Sequence, residues 1–319
     1  MRLLKLVPDN TNVPFMRWRM PALLLSLALI AASLGLLAAK GLNLGVDFVG
    51  GQMIRATFAQ AAPLDAIRSR IGALDLGDAT IQEFGDPRTV SIRMALPQGK
   101  GTSVDAAVER VKGAVRQASP DVRFDAVETV TGKVSEELAW DGGVSLLLAI
   151  LGIAVYIWFR FEWQFGVGAI LTLFHDVAIT LGFFALTQLE VNLNVVAAFL
   201  TIVGYSLNDT VVVYDRIREN LRKYRKMEIV PLIDLSLNET LSRTIVTSLS
   251  IILALTILLF VGPDVIFGLS AAILFGAIIG TYSTIYVSAP MLIWLGVGPD
   301  SFVPTSAPTN AERVGERMP

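Results

Sequence analysis

The sequence predicts a polytopic α-helical membrane protein with six transmembrane helices and one small α+β domain, ferredoxin-like in its βαββαβ order, placed extracytoplasmically between helices 1 and 2. Three observations carry that expectation. Of the 319 residues, 53% are hydrophobic and only 17% charged, with a mean hydropathy of +0.60, against about 25% charged in soluble domains. Six charge-poor runs are long enough for a bilayer core about 30 Å thick, which takes about 20 apolar residues in a helix. One long polar stretch, 44–139, interrupts them and alternates strand-like with helix-like patterning.

The N-terminal segment, 1–20, carries Arg2, Lys5, Arg17 and Arg19 ahead of an apolar run at 21–39. That run exceeds the about 7–15 residues of a secretory h-region and more spans follow, so it reads as an uncleaved first helix within 21–43. In the stretch that follows, strands are expected at 52–58, 79–83, 89–96 and 122–130, and helices at 63–74 and 103–118. Pro63 near a first helical turn and Ser103 as an N-cap mark the two helix starts. The remaining spans, within 140–298, are 142–159, 165–186, 191–214, 244–261 and 265–297. The last, at about 1.5 Å per residue, overshoots the bilayer, and Pro290 is expected to kink or end it. Residues 215–240 form a charged cytoplasmic connection, either an amphipathic helix along the membrane surface or a solvated loop. The tail 299–319, rich in Pro, Ser and Thr, is expected to be disordered.

Orientation follows from Lys and Arg in the short connections. With the N-terminus inside, Arg160, Arg216, Arg218, Arg222, Lys223, Arg225, Lys226, Arg313 and Arg317 all fall on the cytoplasmic side, while the outer connections 187–190 and 262–264 hold none. Both termini are then cytoplasmic. A net charge of −2 supplies no field for nucleic acid, and the absence of cysteine excludes disulfides, thiolate catalysis and cysteine-ligated metal. The soluble stretch carries no catalytic constellation, and no metal or cofactor site is expected.

A charge in hydrocarbon costs at least about 2.5–3.5 kcal/mol, so ionisable residues within spans are the informative ones. Asp176 lies in the third beside the only histidine, His175; Asp209 lies in the fourth; Arg243 opens the fifth. Asp209 and Arg243 fall at similar depth, where they could pair. Polar residues align with them at helical spacing: Thr172, Asp176, Thr180 and Thr187; Asn194, Thr201, Tyr205 and Asp209; Arg243, Thr247 and Ser250; Ser270, Thr281, Thr284 and Ser288. Each stripe is expected to face protein. The set reads either as hydrogen-bonding glue between helices, with Gly276 and Gly280 as a small-residue packing motif, or as a wettable proton path ending at Asp209 and Arg243. In the second case burial disfavours the Asp209 carboxylate while a neighbouring guanidinium favours it, so separating the pair favours proton uptake. A protonmotive gradient supplies about 2.3 kcal/mol per charge per 100 mV for such a cycle.

Several motifs occur in order: Gly45-Val46-Asp47-Phe48-Val49-Gly50-Gly51 after the first span, Phe159-Arg160-Phe161-Glu162-Trp163, His175-Asp176-Val177, Gly204-Tyr205-Ser206-Leu207-Asn208-Asp209-Thr210, Tyr214-Asp215-Arg216-Ile217-Arg218-Glu219-Asn220, Asn238-Glu239-Thr240-Leu241-Ser242-Arg243-Thr244 and Gly280-Thr281-Tyr282-Ser283. Together they resemble the SecF family of protein-export membrane proteins, over most of the chain. One departure is Val130-Thr131-Gly132-Lys133-Val134-Ser135-Glu136-Glu137-Leu138, where a Pro and another Gly are expected. The resemblance implies a subunit of the bacterial inner membrane, paired with SecD, related to resistance–nodulation–division transporters, and using proton-motive force to complete export of preproteins. It implies Asp209, Arg243 and, less directly, Asp176 as proton-coupling residues, Tyr205, Asn208, Thr247 and His175 as supporting polar groups, and Gly45, Asp47, Phe48, Gly50 and Gly51 as a structural motif. Its implied partners are SecD, the SecYEG translocon, YajC, unfolded preproteins and membrane lipid. Alternatives are a translocon scaffold without proton movement, a small-molecule or lipid exporter of the same superfamily, and an intramembrane aspartyl protease using Asp176 and Asp209. The last lacks the Gly-x-Gly-Asp motif at both aspartates.

Overall fold

A computed structural model of the protein describes residues 8, 11–74, 76, 79–84, 86–96 and 103–298; the tail 299–319 and its expected disorder lie outside the described residues. A 3₁₀ turn at Phe15–Trp18 leads into α1 (Arg19–Lys40), followed by the short α2 (Val46–Val49). The soluble domain comprises β1 (Gly51–Thr57), α3 (Leu64–Gly72), β2 (Ala79–Phe84), β3 (Asp86–Met94), α4 (Val104–Ala118) and β4 (Arg123–Val130). The bundle is completed by α5 (Gly132–Arg160), α6 (Trp163–Thr187), α7 (Leu193–Lys223), α8 (Ile229–Val261), α9 (Phe267–Ser283), a π-helical segment at Thr284–Ser288, and α10 (Ala289–Trp294). Six of these stretches are long and apolar enough to cross a membrane.

The four strands form one antiparallel sheet in the order β2-β3-β1-β4. This is the interleaved order expected when each βα unit returns across its neighbour in a ferredoxin-like domain. Period-two alternation sends Ile54, Ala56, Val90 and Ile92 to one face, where they pack on Ile67 and Ile71 of α3 and Val108, Val111 and Val115 of α4. Ser103 caps α4, its Oγ accepting from the Ala106 N–H at 3.2 Å. Pro63 stands one residue ahead of α3, where its missing N–H is not needed. The two glycines that open β1 need their type. Gly50 and Gly51 sit at φ +70° and +119°, and a Cβ on Gly51 would approach the Met94 carbonyl oxygen to 2.6 Å.

The sheet's other face meets the connection between α6 and α7. Asn43 donates to Gln82 Oε1 at 2.8 Å and to the Gln188 carbonyl at 3.0 Å. Backbone bonds at 2.8 Å join Gly45 N–H to Val191 O and Val191 N–H to Asn43 O. Arg93 donates to the Leu44 carbonyl. The soluble domain is therefore tied to the bundle by main chain as well as by its two covalent connections.

Within the bundle α7 is central, packed against α6, α8 and α9. Its contact with α9 is close because Gly276 and Gly280 face it: a Cβ at Gly276 would lie 2.5 Å from Ile202, and one at Gly280 would lie 3.2 Å from Ser206.

Two expectations are corrected. Residues 215–240 are neither a loop nor a separate surface helix. α7 continues to Lys223 and α8 begins at Ile229, leaving only a short turn between them. At about 1.5 Å per residue these helices of 31 and 33 residues extend about 46 and 50 Å, beyond a hydrocarbon core of about 30 Å, so their charged ends project from it. Of the two outcomes expected at Pro290, only the end is overturned: the helix runs through it to Trp294, with a break in regular α geometry at the π-helical turn just before it. The π-helical turn immediately before it spaces the backbone bonds more widely, which accommodates a residue with no N–H and a ring that would crowd the preceding carbonyl.

Candidate functional site

Because α8 begins at Ile229, Arg243 does not open its helix but sits near the middle, as Asp209 does in α7. Asp209 is about 24 Å along α7 from its first residue at 1.5 Å per residue, and it is 5% exposed. Its Oδ1 accepts a long 3.4 Å hydrogen bond from Thr244 Oγ1 on α8, and its Oδ2 has no partner among the described residues. Arg243 precedes that threonine, yet no ion pair within 4.0 Å joins it to Asp209 among the described residues, and Arg243 is exposed on the outside of the bundle. The reason is helical geometry. Adjacent residues on a helix point about 100° apart, so when Thr244 faces α7, Arg243 cannot.

A second polar cluster surrounds Asp176 on α6. Its Oδ1 lies 2.8 Å from His175 Nδ1, and its Oδ2 accepts from Ser206 Oγ on α7 at 2.5 Å and from Ser283 Oγ on α9 at 2.9 Å. Asp176 is 1% exposed and His175 3%. The histidine ring stacks on Tyr282 with centroids 6.3 Å apart, while its Nε2 has no partner. Tyr282 in turn donates to the Ala22 carbonyl on α1 at 2.7 Å. Asp176 thus joins three helices, and its neighbours reach a fourth.

The remaining expected residues divide between these clusters and the surface. Tyr205 donates to Ser248 Oγ at 3.4 Å, and Ser248 is 2.8 Å from Thr281 Oγ1, so α7, α8 and α9 share a hydroxyl chain beside Asp209. Thr247 is exposed and donates to the Arg243 carbonyl at 2.9 Å, which leaves it satisfied within its own helix. Asn208 is exposed. The four stripes therefore do not all converge. Those of α6, and of α9 with the π-helical segment after it, are buried at Thr172, Asp176, Thr180, Ser270, Thr284 and Ser288, although Thr187 is exposed and Thr281 half-buried. On α7 and α8, by contrast, Asn194, Thr201, Asn208, Arg243, Thr247 and Ser250 lie on the outer surface. The glycine motif after α1 occupies the opposite end: Asp47 Oδ2 accepts from the Leu193 N–H at 2.9 Å and so caps α7, while Phe48 packs beside Phe184 and Val195.

An ionic lattice that the polar-stripe argument does not pick out ties the far ends of α5, α6, α7 and α8. Arg160 meets Asp215 at 2.8 Å, Arg218 meets Glu162 at 3.0 Å, and Arg216 meets both Glu219 at 2.6 Å and Glu239 at 2.7 Å. Asn220 donates to Ser236 at 3.0 Å and to Glu239 at 2.7 Å. All but Ser236 fall in the ordered motifs around Phe159, Tyr214 and Asn238; their conjunction was the available signal.

No group of three or more His, Cys, Asp or Glu among the described residues is placed to hold a metal ion. No hydrogen bond joins Asp176 to Asp209 among the described residues, since the oxygens of Asp176 are turned to His175, Ser206 and Ser283. The arrangement offers one well-solvated carboxyl in the protein sense, surrounded by donors, and one with an oxygen left bare.

Residues 110–298 match the profile of the family described as "Protein export membrane protein SecD/SecF, C-terminal", and residues 35–62 match that of the "SecD/SecF GG Motif". The chain is 44% identical over 301 residues to the protein translocase subunit SecF of Cereibacter sphaeroides, covering 92% of this chain and 93% of that one. It is 41% identical over 297 residues to SecF of Pseudomonas aeruginosa, covering 93% and 95%. Among solved structures it is similar to SecDF of Thermus thermophilus, a translocon-associated membrane protein, with a TM-score of 0.82 and 33% identity over 90% of this chain. A super-membrane-facing form of SecDF gives a TM-score of 0.68 at 31% identity over 99% of this chain. The chain spans about two fifths of those SecDF chains, 39% and 41%.

Proposed function

Because the chain belongs to the SecF family of protein translocase subunits, we propose that it uses proton-motive force, together with a SecD-type partner, to drive late translocation and release of preproteins across the bacterial inner membrane. The observation that carries the reading is Asp209, a carboxyl near the middle of a membrane-spanning helix with one hydrogen-bonded oxygen and one bare one. A buried carboxylate stable only as a structural element recruits donors, as Asp176 does; one that binds and releases a proton must leave a position open. Thr244, Tyr205 and Ser248 supply hydroxyls that can orient water or a proton beside it. Arg243 is the cation whose approach would favour the ionised form, and bringing it to Asp209 requires α8 to turn substantially about its axis.

The outward polar face of α7 and α8 supports the partnership. An arginine, an asparagine and hydroxyls facing lipid at mid-helix depth are unfavourable, and pairing with another helical bundle removes that penalty. A SecD-type subunit seated there would close the site around Asp209. In this reading the SecYEG translocon and YajC are neighbours in the same assembly, unfolded preproteins are the cargo, both termini are cytoplasmic, and no residue acts in covalent catalysis.

The test is preprotein release into the outer compartment of sealed, energised vesicles, comparing wild type, Asp209→Asn and Arg243→Met at equal membrane levels, with and without an uncoupler. Both variants are expected to match uncoupled wild type and to ignore the uncoupler. Full coupled release by both would make the charges structural and the subunit a scaffold.

A further inference from the structure

At the junction of the soluble domain with the bundle, a buried arginine and a half-buried glutamate both lack full compensation among the described residues. Arg55 of β1 is 3% exposed; its Nη2 reaches Glu128 Oε1 at 3.5 Å and its guanidinium lies 4.7 Å from the Phe84 ring centroid, but Nε and Nη1 have no acceptor among the described residues. Glu190, in the connection between α6 and α7, buries Oε1 with no donor. That oxygen packs against Gly45, where a Cβ would lie 2.6 Å from it and 3.2 Å from the Val191 carbonyl oxygen. Glu190 also lines a cavity of about 400 Å³ together with Arg68, Gln82, Glu83, Phe84 and Ser91.

We propose that Glu190 is a second proton-binding site of this protein, at the end of the bundle remote from the ionic lattice, whose neutral form holds the soluble domain docked and whose ionised form loosens it. The proposal goes beyond the proton route through Asp209 and does not depend on it. A neutral carboxyl tolerates burial over Gly45; a carboxylate with an oxygen lacking any donor does not. The charged groups facing it are Arg55 from β1, Arg93 from β3, Glu128 from β4 and Asp47 from α2, with Arg68 from α3 and Glu83 from β2 lining the same cavity. Burial pushes the Glu190 carboxyl above its ordinary range, the two guanidiniums oppose that shift, and the two carboxylates add to it. The docked state is therefore the one that holds the proton more tightly. Docking is favoured as pH falls, and the advantage is lost as pH rises through the docked-state value. Ionisation gives the side chain reason to leave its place beside Gly45 for solvent. Gly45 N–H bonds to Val191 O and Asp47 caps α7 at Leu193, so that movement loosens the junction and the first turn of α7 together.

Hydrogen exchange at the amides of Gly45, Val191 and Leu193, in the full chain in lipid nanodiscs and corrected for intrinsic pH dependence, tests this. Wild type is expected to show at least about threefold greater protection at about pH 5 than at about pH 8. Glu190→Gln, a neutral isostere, is expected to show the acid level of protection at both. Arg55→Met, which removes a cation favouring the ionised form, should shift the wild-type transition to higher pH. Protection in wild type that is independent of pH, or a Glu190→Gln variant that retains the wild-type pH response, overturns the proposal.

Discussion

Asp176 and Asp209 are both nearly inaccessible carboxyls in membrane helices, and their surroundings assign them different work. Asp176 meets a histidine and two serines; Asp209 meets one threonine at the limit of hydrogen-bond length. Replacing Asp176 with Ala should leave buried hydroxyls and an imidazole nitrogen unsatisfied and cost about 3 kcal/mol or more, read as a lower melting temperature of the purified protein. Asp209→Asn removes little hydrogen bonding and is expected to melt within about 1 kcal/mol of wild type while losing proton-coupled release. A variant Asp176→Ala that melts like wild type would remove its structural role. The positions of these charges were legible because ionisable residues in apolar runs are rare. Their donors were not, because which neighbouring helix meets which face depends on packing.

At the scale of helices, the close approach of α7 and α9 rests on Gly276 and Gly280. Gly276→Leu places a side chain where Ile202 already sits and is expected to destabilise by about 1–3 kcal/mol, with proton-coupled release lost as α7 shifts. The thermal midpoint of Gly276→Leu checks the first part; unchanged stability would mean the two helices part freely. The ionic lattice is more exposed, with Arg160 at 41% and Asp215 at 43% side-chain exposure, so each pair contributes at most about 1 kcal/mol. Arg160→Asp and Asp215→Arg should each loosen the joint between α5 and α7, and the double exchange should restore it, as measured by a double-mutant cycle on thermal stability. Element types and most boundaries were legible from apolar run length and period. The charged segment 215–240 was misread because a search for charge-poor runs stops at the first arginine, whereas a helix continues as long as its backbone and its i,i+3 ion pairs permit.

For the whole molecule, the exposed stripe of Thr201, Asn208, Arg243 and Thr247 predicts a partner surface, while exposed apolar side chains such as Phe174, 70% exposed, are suited to lipid. The chain has no cysteine, so single cysteines report cleanly. A cysteine at Asn208 should crosslink to a SecD-type partner in native membranes and one at Phe174 should not; equal yields at both would remove the proposed interface. What the sequence by itself determined is the six spans, the βαββαβ domain and the identity of the intramembrane charges, because each follows from local periodicity and the cost of charge in hydrocarbon. What only the tertiary structure decided is that Arg243 turns away from Asp209, that Asp176 is the saturated carboxyl, and that Glu190 and Arg55 meet at one junction only partly compensated. Those facts depend on helix rotation and on which surfaces touch. Spacing along one helix defines a face, but packing between helices selects what that face meets.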